Sequence, residues 1–413
     1  MKYLKDKIRK EKGIGSDVDI VLSLDQAGKQ PADDEATLGA LKIRHGSMLF
    51  AQLPKTAKVV SKTSGRKIVN GHVVAATYDD RSKHEGFRPG LMALRSMKMH
   101  WTLRDFNDLD SKYTFTVKGK QDVSCVGVSV MTNACDGFQK YAQSMAFSPR
   151  VAHLYGRIAD DKKVYVDVFY EPVQGVDETG CAIVRESKRD RELVDRLATW
   201  LGLERVGFAF VHPVRDEDDV GFRFSAYELL EAAEQNLVAI DGDFASDRPF
   251  GVVVVTGNEH GKTEVDAFGI AKQSLEMIGR GALLEDEDEP GLLRVHETYT
   301  VMVEARETKR MSTYRCIKAV PILQHGAEKS KLSCAFPIAH RADGSDVRGA
   351  LRAHFANAKG RTHVERVSDF QVLLSLIGVL GEDAVRDICK SVRDRSVPIK
   401  EGYRLMLDSL LGG

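Results

Sequence analysis

His212 and Pro213 lie in the stretch AFVHPVRDEDDVGFRFSAYE, residues 209–228, with Ser225 and Glu228 behind them. A His-Pro step followed by a serine and an acid is close to the residue set of zinc-dependent isopeptidases, which carry H-x-H-P and then S-x-x-D. Zinc in such a site needs two imidazoles and a carboxylate, plus an acid to activate the bound water. Here one histidine is present. Phe210 stands two residues before His212, where the first imidazole belongs. Val220 stands eight residues beyond His212, where the serine belongs, and Ser225 is five further on. Glu228 takes the place of the ligand aspartate. One histidine cannot hold a catalytic zinc, so Phe210, His212 and Val220 read as degenerate, metal-free positions. Ser225-x-x-Glu228, directly before LLEAAEQNL, reads instead as a capping box in which each side chain satisfies an orphan amide of the helix start. Pro213 ends the preceding strand.

A phosphate-binding loop is suggested by VVVVTGNEHGKTEV, where Gly257 precedes Gly261-Lys262-Thr263. The loop needs G-x-x-x-x-GK-[ST], and this spacing is one residue short. EVDAFGIA then alternates like a strand and leaves no helix N-terminus for phosphate, so a hairpin turning at Gly257-Asn258 is expected. Cys125 and Cys135, with His100 upstream, match no common zinc-finger spacing and read as buried thiols. Leu410-Leu411-Gly412-Gly413 has the form of a conjugated modifier's tail but follows a helix, which it is expected to fray. There is no G-x-S-x-G elbow, no H-E-x-x-H and no kinase set. Neither metal nor cofactor is expected.

A chain of 413 residues exceeds one ordinary core, so two or three domains are expected. Lysine plus arginine equals aspartate plus glutamate at 60 each, so no net field favours nucleic acid or an acidic membrane. Six scattered cysteines without a C-x-x-C point to reduced thiols in a cytosolic or nuclear setting. FQVLLSLIGVLG, from Phe370, is shorter than the ~20 residues of a membrane span and reads as a core helix. The charged start MKYLKDKIRKEKGIG does not read as a signal peptide.

Residues 1–53 hold an amphipathic helix, a short strand DIVLSL, a turn DQAGKQ and a run ATLGALKIRHGSMLFAQL. That order resembles ubiquitin from its helix onward, without the first β-hairpin, which suggests a truncated start; a free-standing basic helix and hairpin is the plainer alternative. Residues 54–90 read as a linker. In 91–285, YTFTVKGKQDVSCVGVSV alternates like strands about a Gly-Lys turn, and helices then alternate with strands. EDEDEPG, residues 285–291, reads as a domain break. Three strands, HETYTVMVEA, YRCIKAVPIL and LSCAFPIA, are expected in 292–413, followed by helices.

HLYGRIADDKKVYVDVFYEPVQ, LATWLGLERVGFAF, LSCAFPI, RVSDFQVLL and VPIKEGYRLML follow one another in the order seen in the nuclear protein localization 4 family, and the chain resembles its finger-less, plant-type branch. The resemblance implies an α+β or α/β multidomain chain. It would have a ubiquitin-like domain, a central metal-free MPN domain (the fold of JAMM isopeptidases) and a C-terminal α+β domain. It implies a non-catalytic adaptor acting with the ubiquitin fusion degradation 1 protein. The pair would recruit polyubiquitylated substrates to the valosin-containing AAA ATPase for unfolding, including those leaving the endoplasmic reticulum. By the same analogy Gln26, Ala27, Gly28, Lys29 and Gln30 form an ATPase-docking loop. Location would be cytoplasmic and nuclear, peripheral to the endoplasmic reticulum membrane through partners. An active zinc deubiquitinase and a scaffold without ubiquitin affinity are the alternatives.

Overall fold

The architecture is that of a computed structural model. It describes residues 4–5, 20–23, 32–33, 37, 50–52, 65–69, 72–76, 111, 113–117, 119, 122–176, 182–212, 223–257, 262–286, 288–336, 338, 347–358 and 360–409. The chain divides into two units, residues 1–66 with 75–87 and residues 67–74 with 88–413. In the first, Val21–Ser23 (β1) and Phe50–Gln52 (β2) pair antiparallel, and Ile20 and Leu22 are buried. The expected docking loop at 26–30 lies outside the described residues. Gly65–Val69 (β3) and His72–Ala76 (β4) form a two-stranded sheet inside the stretch expected as a linker.

The second unit is organised by an eight-stranded mixed sheet. Its strands are Gly127–Met131 (β6), Arg150–Ile158 (β7), Lys163–Tyr170 (β8), Glu204–His212 (β11), Gly251–Gly257 (β12), Thr263–Ile270 (β13), Ile317–Val320 (β19) and Ile322–His325 (β20). They lie in the order β19-β13-β12-β11-β7-β8-β6-β20. The outermost two are consecutive in sequence, separated by Pro321 alone. Residues 317–320 pair with β13, and residues 322–325 pair with β6. Proline has no N–H to give a ladder; its carbonyl accepts from Val128 N at 2.9 Å where the pairing changes partner. One extended segment thus joins both ends of the sheet.

Both faces of the sheet are covered, which is why its central strands read as continuous apolar runs. One face, with Phe208, Phe210, Val252, Val254 and Phe268, packs on helices Ala226–Ala239 (α3) and Lys272–Gly279 (α4). The opposite face, with Ala209, Val211, Val253 and Val255, packs on Thr132–Ser144 (α1) through Ala134, Cys135, Phe138 and Ala142. Lys188–Leu201 (α2) begins at the cap Ser187 and ends at Gly202 in the left-handed conformation, φ 74°. Its Val194, Leu197 and Leu201 join a third core with Tyr155, Tyr170 and the helices Phe370–Leu380 (α8) and Glu382–Arg393 (α9).

Several sequence expectations meet the coordinates differently. Thr114–Val117 (β5) does not pair with β6; it runs parallel to Thr300–Val303 (β16). The acidic run is followed by strands that rejoin the same sheet and core, with Leu293, Tyr299, Val301 and Ile317 packed beside Phe208 and Phe268. Three of its acids serve one cation: Arg310 pairs with Asp286, Asp288 and Glu289 at 2.8, 3.2 and 3.3 Å. Leu332–Phe336, expected as a strand within LSCAFPIA, forms no ladder. It is a strap held by side-chain bonds to Asp369, as described below.

Candidate functional site

Phe208, Phe210 and His212 project from one face of β11, because side chains alternate along a strand. Phe210 is 3 % exposed, and its ring stands edge-on to Phe208 at 5.0 Å and to Phe224 at 6.3 Å. The place of a first zinc imidazole is filled by a core phenyl ring. His212 is buried opposite Thr256 of β12, and Val220 lies outside the described residues. Among the described residues, no group of three or more His, Cys, Asp or Glu could hold a metal ion. The phosphate-loop candidate is an antiparallel pair in which Gly257 faces Thr263.

Ser225 and Glu228 form the capping box of α3. Ser225 Oγ accepts from Glu228 N at 3.2 Å, and Glu228 Oε2 accepts from Ser225 N at 2.9 Å. Ser225→Ala is expected to cost ~1 kcal/mol in urea unfolding and to leave partner binding intact. Unchanged melting with lost binding would contradict a purely capping role.

A Ser-His-Asp set that the sequence does not reveal is assembled by three adjacent strands. Ser129 Oγ stands 3.0 Å from His325 Nδ1, and His325 Nε2 stands 3.3 Å from Asp167 Oδ1. With a carboxylate at Nε2 the ring proton sits there, and Nδ1 accepts from the serine hydroxyl. Arg157 donates to Asp167 through Nε at 3.2 Å and to the Lys329 carbonyl through Nη2 at 2.9 Å. This is the wiring of a nucleophile, but Ser129 is 3 % exposed, His325 5 % and Asp167 0 %. A substrate carbonyl cannot reach Ser129, so the set acts as a buried clasp fastening β20 to the sheet. Among the described cysteines, thiolate chemistry is also disfavoured. Burial pushes the Cys125 and Cys135 thiols up to about 11 and those of Cys316 and Cys389 to about 12.

The distinctive blocks of the sequence prove to be scaffold. In HLYGRI, Tyr155 donates to Asp195 at 2.6 Å, and Arg205 of LGLERVGF donates to the same carboxylate at 3.0 and 3.1 Å. Gly156 sits at a bulge where a Cβ would come 1.8 Å from the Tyr165 carbonyl oxygen. Gly207 sits at a second bulge, where a Cβ would come 2.3 Å from that of Gly251. In YEPVQ, Tyr170 donates to Glu186, Glu171 pairs with Arg150 at 3.3 Å, and the Gln174 amide bonds both backbone groups of Val151 at 2.8 and 2.9 Å.

A cavity of about 180 Å³ lies between the sheet and the C-terminal helices. Asn133, Ala134, Gly137 and Phe138 of α1, Val168 and Phe169 of β8, strap residues Cys334 to Phe336, and Phe370 and Gln371 of α8 line it. Asp369 is its hinge-pin. As N-cap of α8, its Oδ1 accepts from Gln371 N at 2.9 Å, while Oδ2 accepts from Ser333 Oγ at 3.1, Ala335 N at 2.7 and Phe336 N at 3.0 Å. The aspartate before FQVLL is a legible cap signal, but nothing local announces that it also holds a strap more than thirty residues upstream. The walls set phenyl rings beside polar groups in nearly equal measure, and Gln371 Nε2 is buried without a hydrogen-bond partner. Aromatic side chains beside a few placed polar groups are a common make-up of a binding site.

Comparison with known proteins places this architecture. The NPL4 family model matches residues 150–312, which span both signature bulges. An NPL4-like protein of rice is 30% identical over 84% of this chain and 83% of its own length. NPL4-like protein 1 of Arabidopsis thaliana is 30% identical over 71% of the chain and 70% of its own length. A nuclear protein localization protein 4 homolog of Dictyostelium discoideum is 26% identical over 72% of the chain but only 49% of its own length. With a rice relative at 30% identity matched along most of both chains, and the NPL4 family model matching residues 150–312, the chain belongs to the NPL4 family.

Proposed function

We propose that this chain is a non-catalytic adaptor. With the ubiquitin fusion degradation 1 protein, it brings polyubiquitylated proteins to the valosin-containing AAA ATPase for unfolding and degradation. Family membership along 84% of the chain is the observation that carries this reading. In this reading residues 1–53 are a ubiquitin-like domain that docks on the ATPase through Gln26–Gln30, the central sheet is a metal-free MPN fold, and the work is positioning and avidity rather than bond chemistry. The packing of Phe210 in the core supports the metal-free assignment. No helix among the described residues is long and apolar enough to cross a membrane; a cytoplasmic and nuclear location, with the endoplasmic reticulum reached through partners, fits the proposal.

The cavity at the Asp369 strap is the proposed seat for an extended segment of ubiquitin. An apolar side chain would enter between Phe138, Phe169 and Phe336, and a backbone carbonyl would accept from Gln371 Nε2. Gly137→Leu tests this without damaging the fold. The space outside Gly137 is open, and the residue is helical, where replacing glycine removes a backbone-entropy cost. Labelled tetra-ubiquitin should bind the full chain, and Gly137→Leu should weaken it about tenfold or more, the scale of a blocked anchor pocket, with melting unchanged or raised. Full binding by the variant would remove the cavity from the proposal. ATPase binding without any chain affinity would favour the scaffold reading, and chelator-sensitive chain cleavage would overturn the non-catalytic one.

A further inference from the structure

A second opening of the same body joins charged side chains to a largely apolar floor. It is an open depression of about 230 Å³ beside the start of the strap, at Lys331, Leu332 and Ser333, bordered by the exposed side chains of Arg361, Glu365 and Arg395. Three cations face one carboxylate. That carboxylate is already engaged: Glu365 Oε2 accepts from Thr362 N at 2.9 Å and from Thr362 Oγ1 at 3.0 Å, in the capping box of the short helix His363–Val367. Lys331 gives one of its three protons to the Arg393 carbonyl at 2.7 Å, which fixes the ammonium and leaves two donors.

Arg361 and Arg395 are set apart by lining one opening together, since Arg294, Arg306 and Arg352 are also unpaired among the described residues. Arg157, Arg205, Arg310 and Arg366 are each in ion pairs. Among the described residues, the guanidinium groups of Arg361 and Arg395 enter neither an ion pair nor a hydrogen bond, although both line the same cleft. Hydrogen bonds from Thr362 hold the Glu365 carboxyl below its ordinary value, and Arg395 and Arg361 add to the effect, so both charges act on the cleft. The two serine hydroxyls turn inward, Ser333 Oγ donating to Asp369 and Ser368 Oγ to the Val364 carbonyl. The cations therefore supply the polar recognition, above a lining that is largely apolar.

We propose that this cleft binds a phosphorylated serine or threonine side chain of a partner polypeptide. Lys331, Arg361 and Arg395 less Glu365 leave two positive charges. A phosphomonoester carries about −1.5 to −2 at pH 7 and offers three acceptor oxygens to guanidinium forks. A carboxylate would bring one charge and leave a cation uncompensated. The volume exceeds what the phosphoryl group alone would fill, and Leu332 gives an apolar wall for the stem of the residue that carries it. The chain would then hold a phosphorylation-dependent docking point, distinct from the cavity at the Asp369 strap and independent of the proposal made for it.

Fluorescence anisotropy with the full chain tests this, using arrayed phosphoserine and phosphothreonine peptides of random flanking sequence. Their unphosphorylated and glutamate-substituted counterparts and inorganic phosphate as competitor complete the set. The phosphorylated set should bind, millimolar phosphate should displace it, and the serine and threonine set should not bind. The Arg361→Ala/Arg395→Ala double variant should weaken binding about tenfold or more with melting unchanged, because exposed, unpaired side chains contribute little to stability. No binding of the phosphorylated set, or its persistence in the double variant, would overturn the proposal. Equal binding of the glutamate set would assign the cleft to acidic peptides instead, and binding only to vesicles containing phosphatidylinositol 4-phosphate would assign it to a membrane.

Discussion

Gly156→Ala should destabilise the protein by about 3 kcal/mol, the upper range for overpacking a site that cannot yield. A Cβ at this position falls 1.8 Å from the Tyr165 carbonyl oxygen and 3.0 Å from the Val166 Cα, so the obstacle is backbone on the neighbouring strand. Side chains can rotate out of a clash, but a ladder strand between two others cannot. β7 and β8 would have to separate at the bulge that places Tyr155 against Asp195 and Arg157 against Asp167. The change should appear as a lowered urea midpoint or as insoluble protein on expression. Gly137→Ala is the control: it lies in α1 with open space around it and should raise stability by roughly 0.5–1 kcal/mol. A soluble Gly156→Ala variant melting like the parent would mean that the bulge is not fixed by glycine.

Asp369→Ala should be comparably severe, about 3 kcal/mol or more, because removing a buried acceptor strands its donors at ~1–3 kcal/mol each. The residue is 1 % exposed and serves two backbone amides and a hydroxyl of the strap as well as the start of α8. Loss of the cap alone would account for only ~1 kcal/mol. The excess is the contribution of the strap. Asp369→Asn retains one carbonyl oxygen and should fall between the two. Hydrogen exchange at the Ala335 and Phe336 amides separates cap from strap: both should lose protection in Asp369→Ala. If they stay protected while the helix frays, the strap is held by something else. In the proposed function the same variant also loses tetra-ubiquitin binding, since the cavity wall from Cys334 to Phe336 is no longer positioned.

Much of this fold is legible in the chain. VGFAFV and GVVVV are apolar at every position because both faces of β11 and β12 are covered, and short buried strands are the reading such runs invite. The caps at Ser187, Ser225 and Thr362 follow the serine, threonine and acid spacings expected of helix starts. Hydroxyl and acid signals of this kind are local, so they survive without tertiary information. LSCAFPIA misleads for the same reason. Its apolar residues are strand-like, but pairing depends on a neighbouring strand, and here the neighbour is a helix cap whose side chain takes the amides instead. EDEDEPG misleads similarly: a run of acids resembles a linker until a distant arginine, Arg310, is brought into it.

From the sequence alone the H-x-H-P pair of an isopeptidase is incomplete, with Phe210 in place of its first histidine, and Ser225 and Glu228 read as the start of a helix. The sequence determined the family as well, through glycines, tyrosines and prolines that no amphipathic pattern demands. Tertiary structure decided what those residues do. Gly156 and Gly207 are required by carbonyl oxygens on strands that are distant in sequence or reached only through the sheet's register. Ser129, Asp167 and His325 span nearly two hundred residues and meet only because Pro321 turns one extended segment from β13 to β6. The free guanidinium groups of Arg361 and Arg395 likewise become a site only when folding sets them beside Lys331. Caps and periodicity act within a few residues, whereas clasps, close backbone approaches and charged clefts exist only where the fold brings separate segments together.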